Sequence, residues 1–324
     1  MKPRALVTGA NGQDGSYAIE FLLEKGYDVY GLIRRSSTPK TQRIDHLLHR
    51  IEVLVGDITD QASLENALKA SQPTEIYNFA AQSFVAGSFI APLATADATG
   101  LGALKLLEAV RATGLSPRIY HASSSEMFGN AATSPQDETT PLAPVSPYGA
   151  AKTFAHMCMQ VYRMAYKMHI SCGISYNHES ERRGEEFVTR KITKAVAEII
   201  AGRRDILRLG NLEAKRDWLH ATDVVRAAWL MLQQPTPDDY VIASGEAHSV
   251  QEFADLAFGE MGLNSSEHVL SDPEFFRPTD IALLCGNAAK ARRVLGWAPT
   301  VPFPELVRRM VRHDCPVAPH AQHG

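Results

Sequence analysis

Short apolar runs rich in β-branched and aromatic residues recur through the first half of the chain, at Ala5–Thr8, Asp28–Leu32, Glu52–Gly56, Glu75–Phe79, Arg118–Ser123 and His169–Tyr176. Between them the apolar positions fall at helical spacing, as in Tyr17–Lys25, where Gly26 supplies a stop. Strand runs alternating with helical patterns predict repeated βαβ units and a parallel sheet covered on both faces. The expected fold is therefore α/β, a doubly wound parallel-sheet Rossmann domain with a smaller mixed α/β lobe. Beyond residue 180 the regularity weakens into amphipathic stretches at Thr189–Ala201, Ala221–Gln233 and Val250–Met261, which fit that second lobe. The expected division gives the Rossmann domain residues 1–177, joined by parts of 215–245 and 275–287. The smaller lobe takes 178–214, 246–274 and 288–324. The tail from His313 to Gly324 carries no periodicity and is expected to fray.

Composition narrows the class without naming a chemistry. With 324 residues, 45% hydrophobic and 21% charged, and a formal net charge of -3, the chain suits a globular protein and gives no support to bulk nucleic-acid binding. No apolar run approaches the roughly 20 residues of a membrane-spanning helix, so no membrane partner is expected. Met1-Lys2-Pro3-Arg4 leads straight into a strand instead of a signal peptide, so the expected compartment is the cytoplasm. The four cysteines, Cys158, Cys172, Cys285 and Cys315, are widely spaced with no zinc-ligand pattern, and no metal is expected.

Candidate chemistry begins where the first strand ends. Thr8-Gly9-Ala10-Asn11-Gly12-Gln13-Asp14-Gly15 joins a strand to a helix, the context a glycine-rich phosphate turn requires. Gly9 permits the tight turn, Gly12 lets backbone amides approach a pyrophosphate, and Gly15 allows close packing, while Gln13 and Asp14 open the helix. After the second strand come Arg34 and Arg35, where an NAD-preferring domain would offer a carboxylate to the ribose. Guanidinium groups there suit the extra phosphate of NADP. Asp57, after the third strand, is an acceptor for an adenine amino group.

A second constellation lies further along. Tyr148 and Lys152 are four residues apart on a helix predicted to begin after Pro147, which puts both on one face. A phenol has a pKa of about 10, and lowering it by about three units takes roughly 4 kcal/mol of differential stabilisation. Lys152 and an oxidised nicotinamide ring would supply that charge. Ser124 sits at the carboxyl edge of the fifth strand, within reach of a reacting hydroxyl. Glu126 is the more telling residue. A simple dehydrogenase needs serine, tyrosine and lysine only, whereas removing water beside a new ketone needs a group that takes a proton and gives it to a departing hydroxyl.

Taken together, these motifs resemble the extended short-chain dehydrogenase/reductases, and within them the GDP-mannose 4,6-dehydratase family. The strings that carry the likeness are TGANGQDGSY from residue 8, IRRSS from 33, EIYNFAAQSFV from 75, ASSSEMFG from 122 and SPYGAAK from 146. It continues through NHESERRGEEFVTRKIT from 177, LGNLEAKRDW from 209, DDYVIASGE from 238, FFRPTD from 275 and LGWAP from 295. The resemblance implies a base and helper at Tyr148 and Lys152, a dehydration acid/base at Glu126, and Ser124 where many members carry threonine. It implies NADP contacts from Gly9, Gly12, Gly15, Arg35, Asp57, Ile58, Ala80, Ser83, Lys152, His178 and Arg183. It implies sugar-nucleotide contacts from Ser83, Asn177, Lys191, Arg216 and Arg277, beside Ser124 and Glu126. The implied reaction is dehydration of GDP-mannose or a close GDP-sugar, with hydride passing from carbon 4 to carbon 6 by way of NADP. A homodimer or homotetramer is also implied, with the Arg34–Thr38 loop near a neighbouring cofactor site. Some positions depart from the family pattern. Asp280 replaces the usual glutamate, Thr99 an aspartate and Phe84 a histidine, and residues 262–272 are a short connection where some members carry more. A reductase or epimerase on the same scaffold would keep Tyr148 and Lys152 without needing Glu126, and a silent NADP-binding regulator would need neither.

Overall fold

The computed structural model describes residues 2–38 and 41–316. Strands β1 (Arg4–Thr8), β2 (Asp28–Ile33), β3 (Glu52–Val55), β4 (Glu75–Asn78), β5 (Arg118–Ser124) and β6 (Ile170–Ser175) follow in order, near the runs the hydrophobic pattern marks. After them come β7 (Asn177–Glu179), β8 (Leu207–Leu209), β9 (Lys215–His220), β10 (Asp239–Ile242), β11 (Ala247–Ser249), β12 (Val269–Ser271) and β13 (Leu283–Leu284). Among the described residues the main sheet has seven strands in the order β10-β6-β5-β4-β1-β2-β3. Every neighbouring pair in it is parallel. The order reverses between β1 and β4, which opens a crevice at the carboxyl ends of those strands. Its central strands are buried because both faces are covered, and β6, Ile-Ser-Cys-Gly-Ile-Ser, is buried at every position.

Helix Gln13–Glu24 starts a turn before its apolar spacing does, since its first turn carries Gln13, Asp14 and Ser16 instead of core residues. The chain leaves this helix through Gly26 at φ +85°, a left-handed conformation that suits glycine. Ala18, Ile19 and Leu22 of that helix share a core with Val224, Val225, Ala228 and Met231 of helix Ala221–Gln233. The latter helix thus packs with the main sheet. The reason lies in β10, which follows it and pairs with β6.

Helices Val188–Ile200, Val250–Gly259 and Phe303–Asp314 gather around Trp218, Phe253 and Phe258 in a separate apolar cluster. Short strands β7, β9, β11 and β13 form one small sheet, and β8 with β12 another. Residues 262–272 hold the four-residue helix Ser265–His268 and β12. Of the tail expected to fray, His313 and Asp314 complete the last helix, and 317–324 lie outside the described residues. No helix among the described residues is long and apolar enough to cross a membrane.

Candidate active site

A cavity of about 790 Å³ opens at the strand-order reversal and runs from the Gly9–Gly15 turn to β8 and the residues around Arg277. At the turn, backbone crowding explains two of the glycines. Gly9 has φ +66°, and a Cβ on it would lie 3.1 Å from the backbone nitrogen of Ala80; one on Gly15 would lie 2.2 Å from the carbonyl oxygen of Gly9. The amide of Gly12 closes the turn on Gly9 O at 2.9 Å, and the helix that follows begins on the cavity wall with no side chain capping it.

Gln13 and Asp14 tie this helix to the segment after β6. Gln13 Nε2 donates to His178 O at 3.1 Å, and its Oε1 accepts from Ser180 Oγ at 2.7 Å. Asp14 Oδ2 meets His178 Nε2 at 2.9 Å. Burial works against the Asp14 carboxylate, yet His178 and Arg183 pull its pKa down to about 2. Burial likewise opposes the His178 charge, and Asp14 more than offsets it, so the imidazole is raised.

The second constellation stands on helix Pro147–Tyr166. Ser146 caps it, its Oγ accepting from Gly149 N at 3.0 Å, and Pro147 fills the first position, where a missing N–H costs nothing. Tyr148 and Lys152 follow one turn apart, both buried. Lys152 Nζ donates to Ala122 O at 2.7 Å and lies 5.9 Å from the Tyr148 ring centroid. Burial lowers the lysine to about 8, which leaves it mostly protonated at neutral pH. Burial raises the Tyr148 phenol to about 12, with a Ser124 hydrogen bond opposing and Glu126 adding to the rise. The lowering of the phenol expected from the sequence draws on an oxidised nicotinamide as well as on Lys152, whereas burial of the side chain acts in the opposite direction.

Glu126 follows β5 in a single 3-10 turn that Ser124 caps, Glu126 N donating to Ser124 Oγ at 3.3 Å. Its carboxyl is buried, and burial raises its pKa against the pull of Arg277 and Arg216. Arg277 Nη1 lies 3.9 Å from Glu126 Oε1 and 3.9 Å from Asp280 Oδ1. Arg216 Nη2 holds the same Asp280 oxygen at 3.0 Å, while its Nη1 donates to Ile281 O at 2.7 Å. Two cations and two carboxyls thus share one wall, with Asp280 between the arginines.

Of the residues singled out in the sequence, Gly9, Gly12, Gln13, Asp14, Gly15, Ala80, Ser83, Ser124, Glu126, Tyr148 and Lys152 line this one cavity. So do Asn177, His178, Arg183, Lys191, Arg216 and Arg277. The remaining expected contacts, Arg35, Asp57 and Ile58, are not on its wall, and neither is Arg34. Arg35 is exposed on the loop after β2, Asp57 Oδ1 accepts from Thr59 N and Oγ1 at 2.9 and 2.8 Å, and Ile58 packs under Gly102. Sequence reasoning also passed over Glu179 and Phe187. Arg183 pairs with Glu179 at 3.1 Å and lies 3.5 Å from the centroid of Phe187, so both hold a cation the sequence did mark. The signal for them was their place inside the NHESERRGEEF string.

His156, Cys172 of β6 and Asp239 of β10 also approach one another within 4.8 Å. There Arg163 already pairs with Asp239, and His156 Nδ1 meets Ser123 Oγ at 2.8 Å, so the cluster is a closed polar network.

Comparison with known proteins agrees with the geometry. The family profile described as GDP-mannose 4,6 dehydratase matches residues 6–310. GDP-mannose 4,6 dehydratase 1 of Arabidopsis thaliana is 52% identical over 332 residues, covering 98% of this chain and 92% of that protein. The GDP-mannose 4,6-dehydratase of Sinorhizobium fredii is 46% identical, covering 96% of each. Among solved structures, a Thermus thermophilus UDP-glucose 4-epimerase in complex with NAD superposes with a TM-score of 0.84 at 27% identity, covering 96% of this chain and 98% of that one. A dTDP-glucose 4,6-dehydratase from Streptomyces venezuelae gives 0.85 at 24%, covering 96% of each, a likeness of fold. With the profile spanning nearly the whole chain and relatives close to half identical, the chain belongs to the GDP-mannose 4,6-dehydratase family.

Proposed function

We propose that the chain dehydrates GDP-mannose to GDP-4-keto-6-deoxymannose, using NADP as a hydride store that is refilled and emptied within each turnover. The observation that carries this reading is Glu126, a buried carboxyl with a raised pKa on the same cavity wall as Tyr148. A redox step alone would not require it.

The Gly9–Gly15 turn fits a dinucleotide, since Gly9 and Gly15 leave no room for a Cβ and no side chain caps the helix that follows. The dinucleotide that Gly9, Gly12 and Gly15 would hold would supply reversible hydride transfer between carbon 4 and carbon 6, together with positive charge. Tyr148 takes the proton of the carbon 4 hydroxyl, helped by the Lys152 charge and by Ser124, which hydrogen-bonds the phenol. The ketone so formed acidifies carbon 5. Glu126 removes that proton and delivers it to the carbon 6 hydroxyl, the bond from carbon 6 to oxygen breaks, and water leaves. As hydride reaches carbon 6, the proton Tyr148 took from the carbon 4 hydroxyl is delivered to carbon 5, which restores the phenolate for the next turnover. Burial suits Glu126 to both halves of this work, because it brings the carboxyl nearer to neutrality. Arg216, Arg277 and Lys191 offer positive charge to the diphosphate, and Asn177 and Ser83 offer polar groups along the same wall.

Two further features belong to this reading. A homodimer or homotetramer is supported by helix Pro147–Tyr166, whose outer side exposes Phe154, Met157, Val161 and Met164 near the exposed Leu93 and Leu101. A cytoplasmic setting is supported by four free cysteines.

Incubating the purified protein with GDP-mannose and catalytic NADP, with the sugar nucleotide followed by mass spectrometry and NADPH by absorbance, tests the function. The expected result is loss of one water per molecule with no net consumption of cofactor. An unchanged mass, or stoichiometric use of NADPH, overturns it.

A further inference from the structure

The stretch Gln82–Phe84 places Ser83 and Phe84 on the cavity wall and is fastened from two sides. On one side stands Ala96–Leu101, a π-helical segment. Such wide turns are rare and are found frequently at functional sites. Within this one lies Thr99, only 2% exposed. Its hydroxyl accepts from Gln82 N at 3.1 Å and donates to Gln82 O at 3.1 Å, so one side chain satisfies both backbone groups of one loop residue. Gln82 in turn donates through Nε2 to Phe84 O at 2.9 Å.

On the other side the Phe84 ring meets Phe187 edge-on, with centroids 5.8 Å apart, and Arg183 lies over the ring of Phe187 at 3.5 Å. Gly87 leaves the room for this: a Cβ there would lie 2.9 Å from the Phe84 ring and 3.1 Å from Gln82 Nε2. The π-helical segment also rests against the helix that carries Tyr148 and Lys152, since a Cβ on Gly100 would meet Phe154 at 3.3 Å and Ala151 O at 3.5 Å. The loop is therefore suspended between the helix of the proposed base and the segment that holds Arg183.

We propose that Thr99 is a positioning residue for sugar-nucleotide binding, its hydroxyl fixing the backbone at Gln82 so that Ser83 faces the bound sugar nucleotide at a set distance from Tyr148. The proposal rests on the dehydratase reading for the identity of the ligand, though the clamp itself does not depend on it. A valine at 99 keeps the shape and removes both bonds; a serine keeps both bonds.

Amide hydrogen exchange read by mass spectrometry on the peptide spanning residues 79–86, together with steady-state kinetics on GDP-mannose, tests it in wild type, Thr99→Val and Thr99→Ser. In Thr99→Val exchange at this peptide is expected to quicken, and KM to rise about tenfold at a kcat within about twofold of wild type. Thr99→Ser is expected to match wild type in both. Unchanged exchange in Thr99→Val, an unchanged KM in an active Thr99→Val, or a Thr99→Ser as impaired as the valine variant, overturns the proposal. A wild type that releases no water from GDP-mannose overturns the functional reading alone, and the exchange experiment still decides the clamp. Should Thr99→Val fail to fold, Phe84→Leu puts the question from the other side of the loop, where no buried hydrogen bond is lost. A raised KM at constant kcat supports the clamp, and an unchanged KM overturns it.

Discussion

The Gly9–Gly15 turn and the Glu126–Arg277 wall lie at two ends of one cavity and are made by opposite means. The turn is contiguous in sequence, is built of backbone, and owes its shape to missing side chains. The wall collects Glu126, Arg216, Arg277 and Asp280 from three distant stretches, and its properties come from charge held out of water. A backbone site is sensitive to volume, and a charged site to the balance of ions. Substitutions that respect volume but change charge, and the reverse, should therefore separate the two ends cleanly.

The largest effect is expected from Glu126→Gln, which keeps volume and removes the proton carrier. Water loss should fall roughly a hundredfold to ten-thousandfold, with NADP retained as in wild type and hydride removal at carbon 4 still seen as transient NADPH absorbance. Full dehydration by this variant would remove Glu126 from the mechanism. Gly15→Ala asks the converse question with one methyl group, placed 2.2 Å from Gly9 O. NADP affinity, measured by titration, should drop about tenfold to a hundredfold, since the helix must shift away from the turn. A wild-type titration would show that the turn is not under volume constraint. Arg277→Met is the mildest and most diagnostic. It should raise KM for the sugar nucleotide about tenfold. Arg277 also favours the ionised form of Glu126, so its loss raises that carboxyl further. Glu126 must be ionised to take the carbon 5 proton, and the acid limb of the kcat profile should accordingly move to higher pH. A limb that stays in place would mean that the arginine charge does not reach Glu126.

The same contrast governs how much could be read from sequence. Strands β1 to β6 and the turn after β1 were legible because each is a local run with its own hydrophobic signature. Arg216 and Arg277 were legible only through resemblance, for nothing near them in sequence says that Asp280 stands between them or that Glu126 lies 3.9 Å from Arg277. The small strands of the second lobe escaped notice because they are too short for alternation to show. β9, Lys-Arg-Asp-Trp-Leu-His, even hides buried Arg216, Asp217 and His220 among residues that read as surface. Asp57 was marked as an adenine acceptor by its place after β3, yet one of its carboxylate oxygens serves Thr59 in its own turn, a local bond that spacing does not reveal. Tyr148 taught the reverse lesson. Its position on the helix was evident from the pattern, but its acidity depends on burial, which pushes it the other way.

The pairing of β6 with β10 reaches past the sheet to the making of the protein. During synthesis, residues 170–175 leave the ribosome as a strand destined for burial at every position, whose outer edge has no neighbour until Asp239–Ile242 follows. Through that interval the nascent chain carries an open row of backbone donors and acceptors, the feature that invites strand-to-strand aggregation. Fragments that stop short of residue 239 keep that edge permanently. A gene truncated there should yield insoluble material, although every glycine of the phosphate turn and both Tyr148 and Lys152 would be present.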